Sequence, residues 1–233
     1  MVEEKVRLRY SGFILFLSRL ISIGTGLLFV LIVTRNITTE EFGLFGNMGD
    51  ILGYFTLAAP IIPFWTTRFL ARKHVGVSET GLSANLLISV FFSLLYLSLF
   101  STIMSVFQIN EVYKAVYAIL TLQIAEIYAI SELEAILQTR KPHLIGFGFL
   151  IYEASKVVAG LLLIIGMDLG LLGAVWSIVF AHAMQLVFYL RLTLHELRSG
   201  IRWSYVKEWI KASPFNIYSI IGERLAAFVL ILL

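Results

Sequence analysis

The sequence predicts an all-α protein, a polytopic bundle of transmembrane helices with its N-terminus in the cytoplasm. Two observations predict it. The 233 residues are 59% hydrophobic and 14% charged, with mean hydropathy +0.88, whereas a soluble domain runs about 45–50% apolar and about 25% charged, so one core cannot hide the excess. The lysines and arginines fall mostly between apolar runs, where they set orientation in a bilayer. At about 20 apolar residues per crossing, the length holds six or seven helices and no soluble catalytic domain.

Polar breaks divide the chain into seven spans. Span one covers Ser11 to Thr34 and stops at Arg35-Asn36-Ile37-Thr38-Thr39-Glu40-Glu41. It is longer than a signal-peptide core and has no small-residue cleavage pattern after it, so it is retained. Span two covers Phe42 to Leu70, is rich in glycine (Gly43, Gly46, Gly49, Gly53), and carries Pro60 and Pro63. Such a helix is expected to pack tightly and to bend at the prolines. Span three runs from Gly81 to Phe107, and span four from Val112 to Gln138, where Arg140-Lys141-Pro142 ends it because proline lacks the amide donor a helix interior needs. Span five covers His143 to Gly166 and span six Leu171 to Leu192, with Gly170, Gly173, Ser177 and Ala181 on one packing seam. The seventh opens at Pro214 and is still apolar at Leu233. Residues 1–212 thus read as a six-helix lobe and residues 213–233 as the first helix of an incomplete second one.

Counting the basic residues tests these assignments. The N-terminus (Lys5, Arg7, Arg9) and the second (Arg68, Arg72, Lys73), fourth (Arg140, Lys141) and sixth (Arg191, Arg198, Arg202, Lys207, Lys211) loops hold thirteen lysines and arginines, while the other side holds only Arg35 and Lys114. A missed or invented span would have scrambled that alternation, which places the N-terminus in the cytoplasm and the chain in the cytoplasmic membrane. The same reading explains the net charge of +3 without nucleic acid. With no cysteine there is no disulfide, thiolate metal site or thiol catalysis.

The sixth loop is the long one. From Glu196 to Ala212 it mixes basic residues with Trp203, Tyr205, Trp209 and Ile210. It reads either as an interfacial helix lying among anionic lipid head groups or as a cytoplasmic connector with aromatic anchors. Arg9-Tyr10-Ser11-Gly12-Phe13 and Lys211-Ala212-Ser213-Pro214-Phe215 echo one another at the start of spans one and seven, as a second repeat beginning at span seven would.

An ionised side chain at mid-membrane costs at least about 2.5–3.5 kcal/mol, so each needs a partner, a water-filled cavity or a route to the interface. The spans contain Arg19, Asp50, Glu126, Glu132, Glu134, Glu153, Lys156, Glu223 and Arg224. Helical spacing puts Gln123, Glu126, Ile130 and Glu134 on one face of span four, with Glu132 nearly opposite and expected to snorkel to the cytoplasmic surface. On span five, Gly146, Phe149, Glu153, Lys156 and Gly160 share a face, and Glu153 and Lys156 can pair at i, i+3. The span-four glutamates are expected to partner Lys156 across the helix interface. Span one shows a seam of Ser11, Ser18, Ser22 and Thr25, flanked by Gly12, Arg19 and Gly26, the glycines fitting close helix packing. Arg19, whose fork suits phosphate or carboxylate, either faces a cavity or snorkels to the cytoplasm. Asp50 could answer a cation, a proton or Arg19. His182, off the packing seam of span six, reads more readily as hydrogen-bonded structure than as a proton relay.

The sequence lacks a Walker loop, a paired-histidine metal motif, a Gly-x-Ser-x-Gly elbow, a carboxylate-rich aqueous loop, an arginine ladder and a filter-like loop. Catalysis is not expected, no cofactor is implied, and transport is favoured.

One segment carries a resemblance. Val33-Thr34-Arg35-Asn36-Ile37-Thr38-Thr39-Glu40-Glu41-Phe42-Gly43-Leu44-Phe45 resembles the first loop of polysaccharide and O-antigen flippases, members of the multidrug/oligosaccharidyl-lipid/polysaccharide exporter superfamily. The seven-span rhythm, the basic second and fourth loops and Gly222-Glu223-Arg224-Leu225 are also similar. The resemblance implies two six-helix lobes around a cavity that opens alternately to each side, so that a C-terminal lobe would be missing from this chain. It implies flipping of a polyprenyl-diphosphate-linked oligosaccharide across the cytoplasmic membrane, with Arg19 meeting the diphosphate and Asp50 as its acidic counterpart. Glu126, Glu134, Glu153 and Lys156 join the candidate cavity from helix faces alone. Two alternatives stand: a cation-coupled multidrug exporter of the same superfamily, which would tend to carry an acid in span one, and a non-transporting membrane scaffold.

Overall fold

The computed structural model describes residues 8–214, together with 218 and 222, and among them the chain is helical with no strands. The seventh span, with Glu223 and Arg224, lies outside the described residues apart from Pro214, Tyr218 and Gly222, as do Lys5 and Arg7. The helices are α1 (Leu8–Asn36), α2 (Thr39–Phe55), α3 (Ile61–Ala71), α4 (Val77–Val106), α5 (Lys114–Ala118), α6 (Leu120–Arg140), α7 (His143–Gly160), α8 (Gly170–Thr193) and α9 (Trp203–Ala212). Five segments are long and apolar enough to cross a membrane. The expected all-α polytopic bundle is therefore present, and α2 and α3 lie where the sequence placed span two.

Span two breaks at the prolines into two helices separated by the turn at Thr56–Pro60. Pro60 and Pro63 bring no amide hydrogen to the ladder, so carbonyls before them lose their helical partners. Neighbouring helices replace those partners. Asn85 Nδ2 on α4 donates to Ala59 O at 3.3 Å and to Tyr128 O at 2.7 Å, Ser131 Oγ donates to Ala59 O at 3.4 Å, and Tyr128 Oη donates to Phe55 O at 3.1 Å. A break inside a membrane is tolerated where other protein groups satisfy it in this way.

The break also divides the core. On the side away from the basic loops, Met48, Ile51, Tyr96, Tyr117, Tyr128 and Leu171 pack together, and on the basic side Ile62, Phe69, Leu70, Leu133, Tyr189 and Trp209 do so. The exposed face of α4 is a lipid-facing stripe of Leu86, Leu87, Val90, Phe91, Leu94 and Leu97. The segment that carried the family resemblance turns out to hold a capping box: Thr38 Oγ1 accepts from Glu41 N at 3.2 Å, and Thr38 N donates to Glu41 Oε2 at 2.9 Å. That arrangement satisfies two of the free donors at the start of α2. Its residues serve the turn between two crossings.

Candidate functional site

The charged positions predicted from the sequence separate into three environments. The first is the seam between α1 and α7, which run parallel. The predicted face of span five seats on α1 almost residue by residue. A Cβ on Gly146 would press on Ile14 and Ser18, and one on Gly160 would touch Phe29. Between them Glu153 accepts hydrogen bonds from Ser22 Oγ at 2.8 Å and Thr25 Oγ1 at 2.7 Å, and pairs with Lys156 Nζ at 2.8 Å. Lys156 also lies over the rings of Tyr152 and Phe29, at 4.8 and 5.5 Å. Both members of the pair are buried. A buried ion pair holds only when hydrogen bonds satisfy the remaining lone pairs, and the two α1 hydroxyls do so here.

The second environment is the α6–α8 interface. His182, Gln185 and Tyr189 stand at i, i+3, i+7 on α8 and meet the predicted acidic face of α6. Tyr189 Oη lies 3.1 Å from Glu134 Oε1 and 3.0 Å from Ile145 O, and Gln185 Nε2 lies 3.4 Å from Glu134 Oε1. Glu126 Oε2 and His182 Nδ1 face each other at 3.6 Å. His182 stacks on Tyr152 with ring centroids 4.8 Å apart. The expected direct pairing of Lys156 with the α6 glutamates is therefore corrected, since Tyr152 and His182 stand between them. The aromatic pair links the α1–α7 seam to the α6–α8 interface without an ion pair.

The third environment is open. Gly12, Arg19 and Gly26 lie at heptad spacing on one face of α1, and nothing comes within 4 Å of a Cβ built at either glycine. Arg19 is exposed, with its guanidinium carbon 5.0 Å from the Phe149 ring centroid. On α2, Gly43, Gly46 and Gly49 are equally bare, and Asp50 is exposed beside them. The glycines expected to mark tight packing thus mark open surface instead. Asp50 forms no ion pair with Arg19 among the described residues. The geometry explains it: counted from the turn joining α1 and α2, Arg19 lies about 9 Å deeper than Asp50 at 1.5 Å rise per residue.

Toward the basic side a cleft of about 510 Å³ opens between α3 and α6, lined by Pro60, Pro63, Phe64, Arg68, Ser131 and Glu134 among others. Arg68, which the sequence placed among loop charges, lies on the last turn of α3 and lines this cleft, with its guanidinium carbon 3.3 Å from the centre of the Phe64 ring. Its spacing of four from Phe64 was the available signal. Glu132 departs from expectation in the other direction. It does not snorkel: it is 0% exposed, wedged against Thr66 and Gly81, with neither carboxyl oxygen hydrogen-bonded among the described residues. It sits about 12 Å from the end of α6, too deep for a short side chain to reach water.

Comparisons with solved structures agree with this architecture. An outward-facing multidrug resistance MATE family transporter of the MOP superfamily superposes with TM-score 0.70 at 14% identity, and a MOP superfamily transporter from Pyrococcus furiosus with TM-score 0.67 at 16% identity. Each match covers 94% of this chain and 54% of the other, so the chain spans about half the length of these proteins. At these identities the likeness is one of fold. No protein-family model matches the sequence, and no curated protein matches it.

Proposed function

We propose that residues 1–212 form one six-helix lobe of an alternating-access transporter in the cytoplasmic membrane, with residues 213–233 opening a second lobe. The solute is a polyprenyl-diphosphate-linked oligosaccharide, moved from the cytoplasmic to the outer leaflet. The observation that carries this reading is the open face of α1 and α2, where Arg19 and Asp50 stand exposed among bare glycines. Arginine on a lipid-facing surface costs several kcal/mol, so the strip of α1 bearing it, with Phe16 and Ile23 exposed beside it, fits a water-accessible space. Glycine keeps that space wide enough for a sugar head group to pass close to the backbone.

A preference for anions rests on Arg19 and Arg68, with Asp50 the exposed acid of the same face. Glu153 is neutralised by Lys156, and Glu134 is held by Tyr189 and Gln185. Arg19 and Arg68 present guanidinium forks at different depths on the basic side, suited to diphosphate oxygens. The diphosphate would engage Arg68 at the cleft and Arg19 deeper in, while the prenyl chain stays in lipid. Moving one lobe against the other would then expose the head group on the far side, as in other two-repeat transporters.

The fold shared with MOP superfamily transporters supports transport. One of those neighbours is described as a multidrug resistance transporter and the other as having a binding pocket of reversed polarity. A second reading, a cation-coupled drug exporter, is favoured by Asp50, an exposed carboxylate on the open face. A scaffold with fully paired charges accounts for Lys156 but not for Arg19 or the cleft. The test is translocation of a fluorescent polyprenyl-diphosphate disaccharide in membrane vesicles carrying the native gene product. Arg19→Ala and Arg68→Ala should each abolish most transport while the protein inserts normally. Unchanged translocation, or gradient-driven efflux of cationic dyes lost in Asp50→Asn, would overturn the flippase reading.

A further inference from the structure

The amphipathic helix α9 lies across the basic end of the bundle and is fixed there from one side. Trp209 is fully buried, meeting Phe69 of α3 edge-on at 5.5 Å. Trp65 Nε1 donates to Ser213 Oγ at 3.2 Å. The segment leading into α9 is held as firmly: Ser199 N donates to Glu79 Oε1, and Arg202 N donates to Thr80 Oγ1 at 2.8 Å, both at the start of α4. Gly76 (φ +79°) opens α4 in the left-handed region, and a Cβ there would stand 2.7 Å from Gly200 O. Only glycine allows the strap to lie so close.

Among the described residues, no protein lies against the opposite side of α9. At 100° per residue, Trp203, Lys207, Ile210 and Lys211 fall within an arc of about 100° facing away from Trp209. Trp203 is 51% exposed and Ile210 60%, and both lysines are exposed. Arg198 and Arg202 add charge nearby, and the exposed acid Glu208 lies about 60° outside the arc. An indole and a branched aliphatic between two ammonium groups, on the side where thirteen of the chain's basic residues collect, fit the head-group layer of an anionic leaflet. A water-facing connector gains nothing from exposing Trp203 and Ile210. We propose that this face of α9 binds anionic phospholipid head groups, Lys207 and Lys211 meeting the phosphates while Trp203 and Ile210 enter the upper acyl region. Because the inner face and the strap grip α3 and α4, the bound lipid steadies the basic ends of those helices.

The test uses the native gene product in vesicles containing acyl-brominated phosphatidylglycerol or acyl-brominated phosphatidylcholine. The Trp203 signal is the difference between wild type and Trp203→Phe. Quenching should need on the order of tenfold less of the anionic lipid, and Lys207→Glu with Lys211→Glu should remove that preference without changing the melting temperature in detergent free of anionic lipid. Equal quenching by both lipids, or quenching of Trp203 by aqueous iodide but by neither lipid, would overturn the proposal.

Discussion

Arg19 and Glu153 stand on neighbouring helices of one interface, yet they are treated oppositely. Glu153 is buried, with a lysine and two hydroxyls around its carboxylate. Arg19 stays exposed with an aromatic ring beneath it and bare glycines seven residues to either side. The difference separates charges that hold the bundle together from charges with no ion-pair partner among the described residues. A polar residue in a membrane span marks a functional site only after its partners have been accounted for.

The largest expected effect tests the buried member. Glu153→Gln leaves the Lys156 ammonium without its counter-charge, and loss of one member of a buried pair costs about 3–5 kcal/mol. Thermal unfolding in detergent should show it, and the double change Glu153→Gln with Lys156→Met should recover much of the loss. Arg19→Ala, by contrast, should stay within about 0.5 kcal/mol of the parent, as surface changes do. If it destabilises the bundle as Glu153→Gln does, the division fails. Glu132→Gln sharpens the same contrast, because no cation depends on Glu132, and it should leave stability unchanged or raised. Tyr189→Phe removes the hydroxyl between Glu134 and Ile145 O and should cost about 1–3 kcal/mol. Smallest is Thr38→Ala, which deletes the α2 cap for about 1 kcal/mol. It should leave transport rates intact if the loop serves only the turn.

The crossings were legible because apolar length and charge alternation are properties of single segments. The shared faces on span four and span five were legible too, since helical periodicity fixes which residues point together. Which face meets which helix was not. The sequence could not show that Tyr152 and His182 would come between Lys156 and Glu126, or that Glu132 would turn into the α3–α4 contact. Gly43, Gly46 and Gly49 allow tight packing and open surface equally well, and only the tertiary arrangement distinguishes the two. Arg68 was misread because a helix end and a loop look alike where the apolar run stops.

On the function proposed above, the open face of α1 and α2 receives an anionic lipid-linked head group. The most direct measurement reconstitutes the native gene product in proteoliposomes and follows, side by side, movement of a fluorescent polyprenyl-diphosphate disaccharide and of a cationic dye. Translocation of the diphosphate lipid that falls to background in Arg19→Ala, with no movement of the dye, is the predicted result. Dye transport that is indifferent to Arg19, with the diphosphate lipid left in its original leaflet, would contradict it.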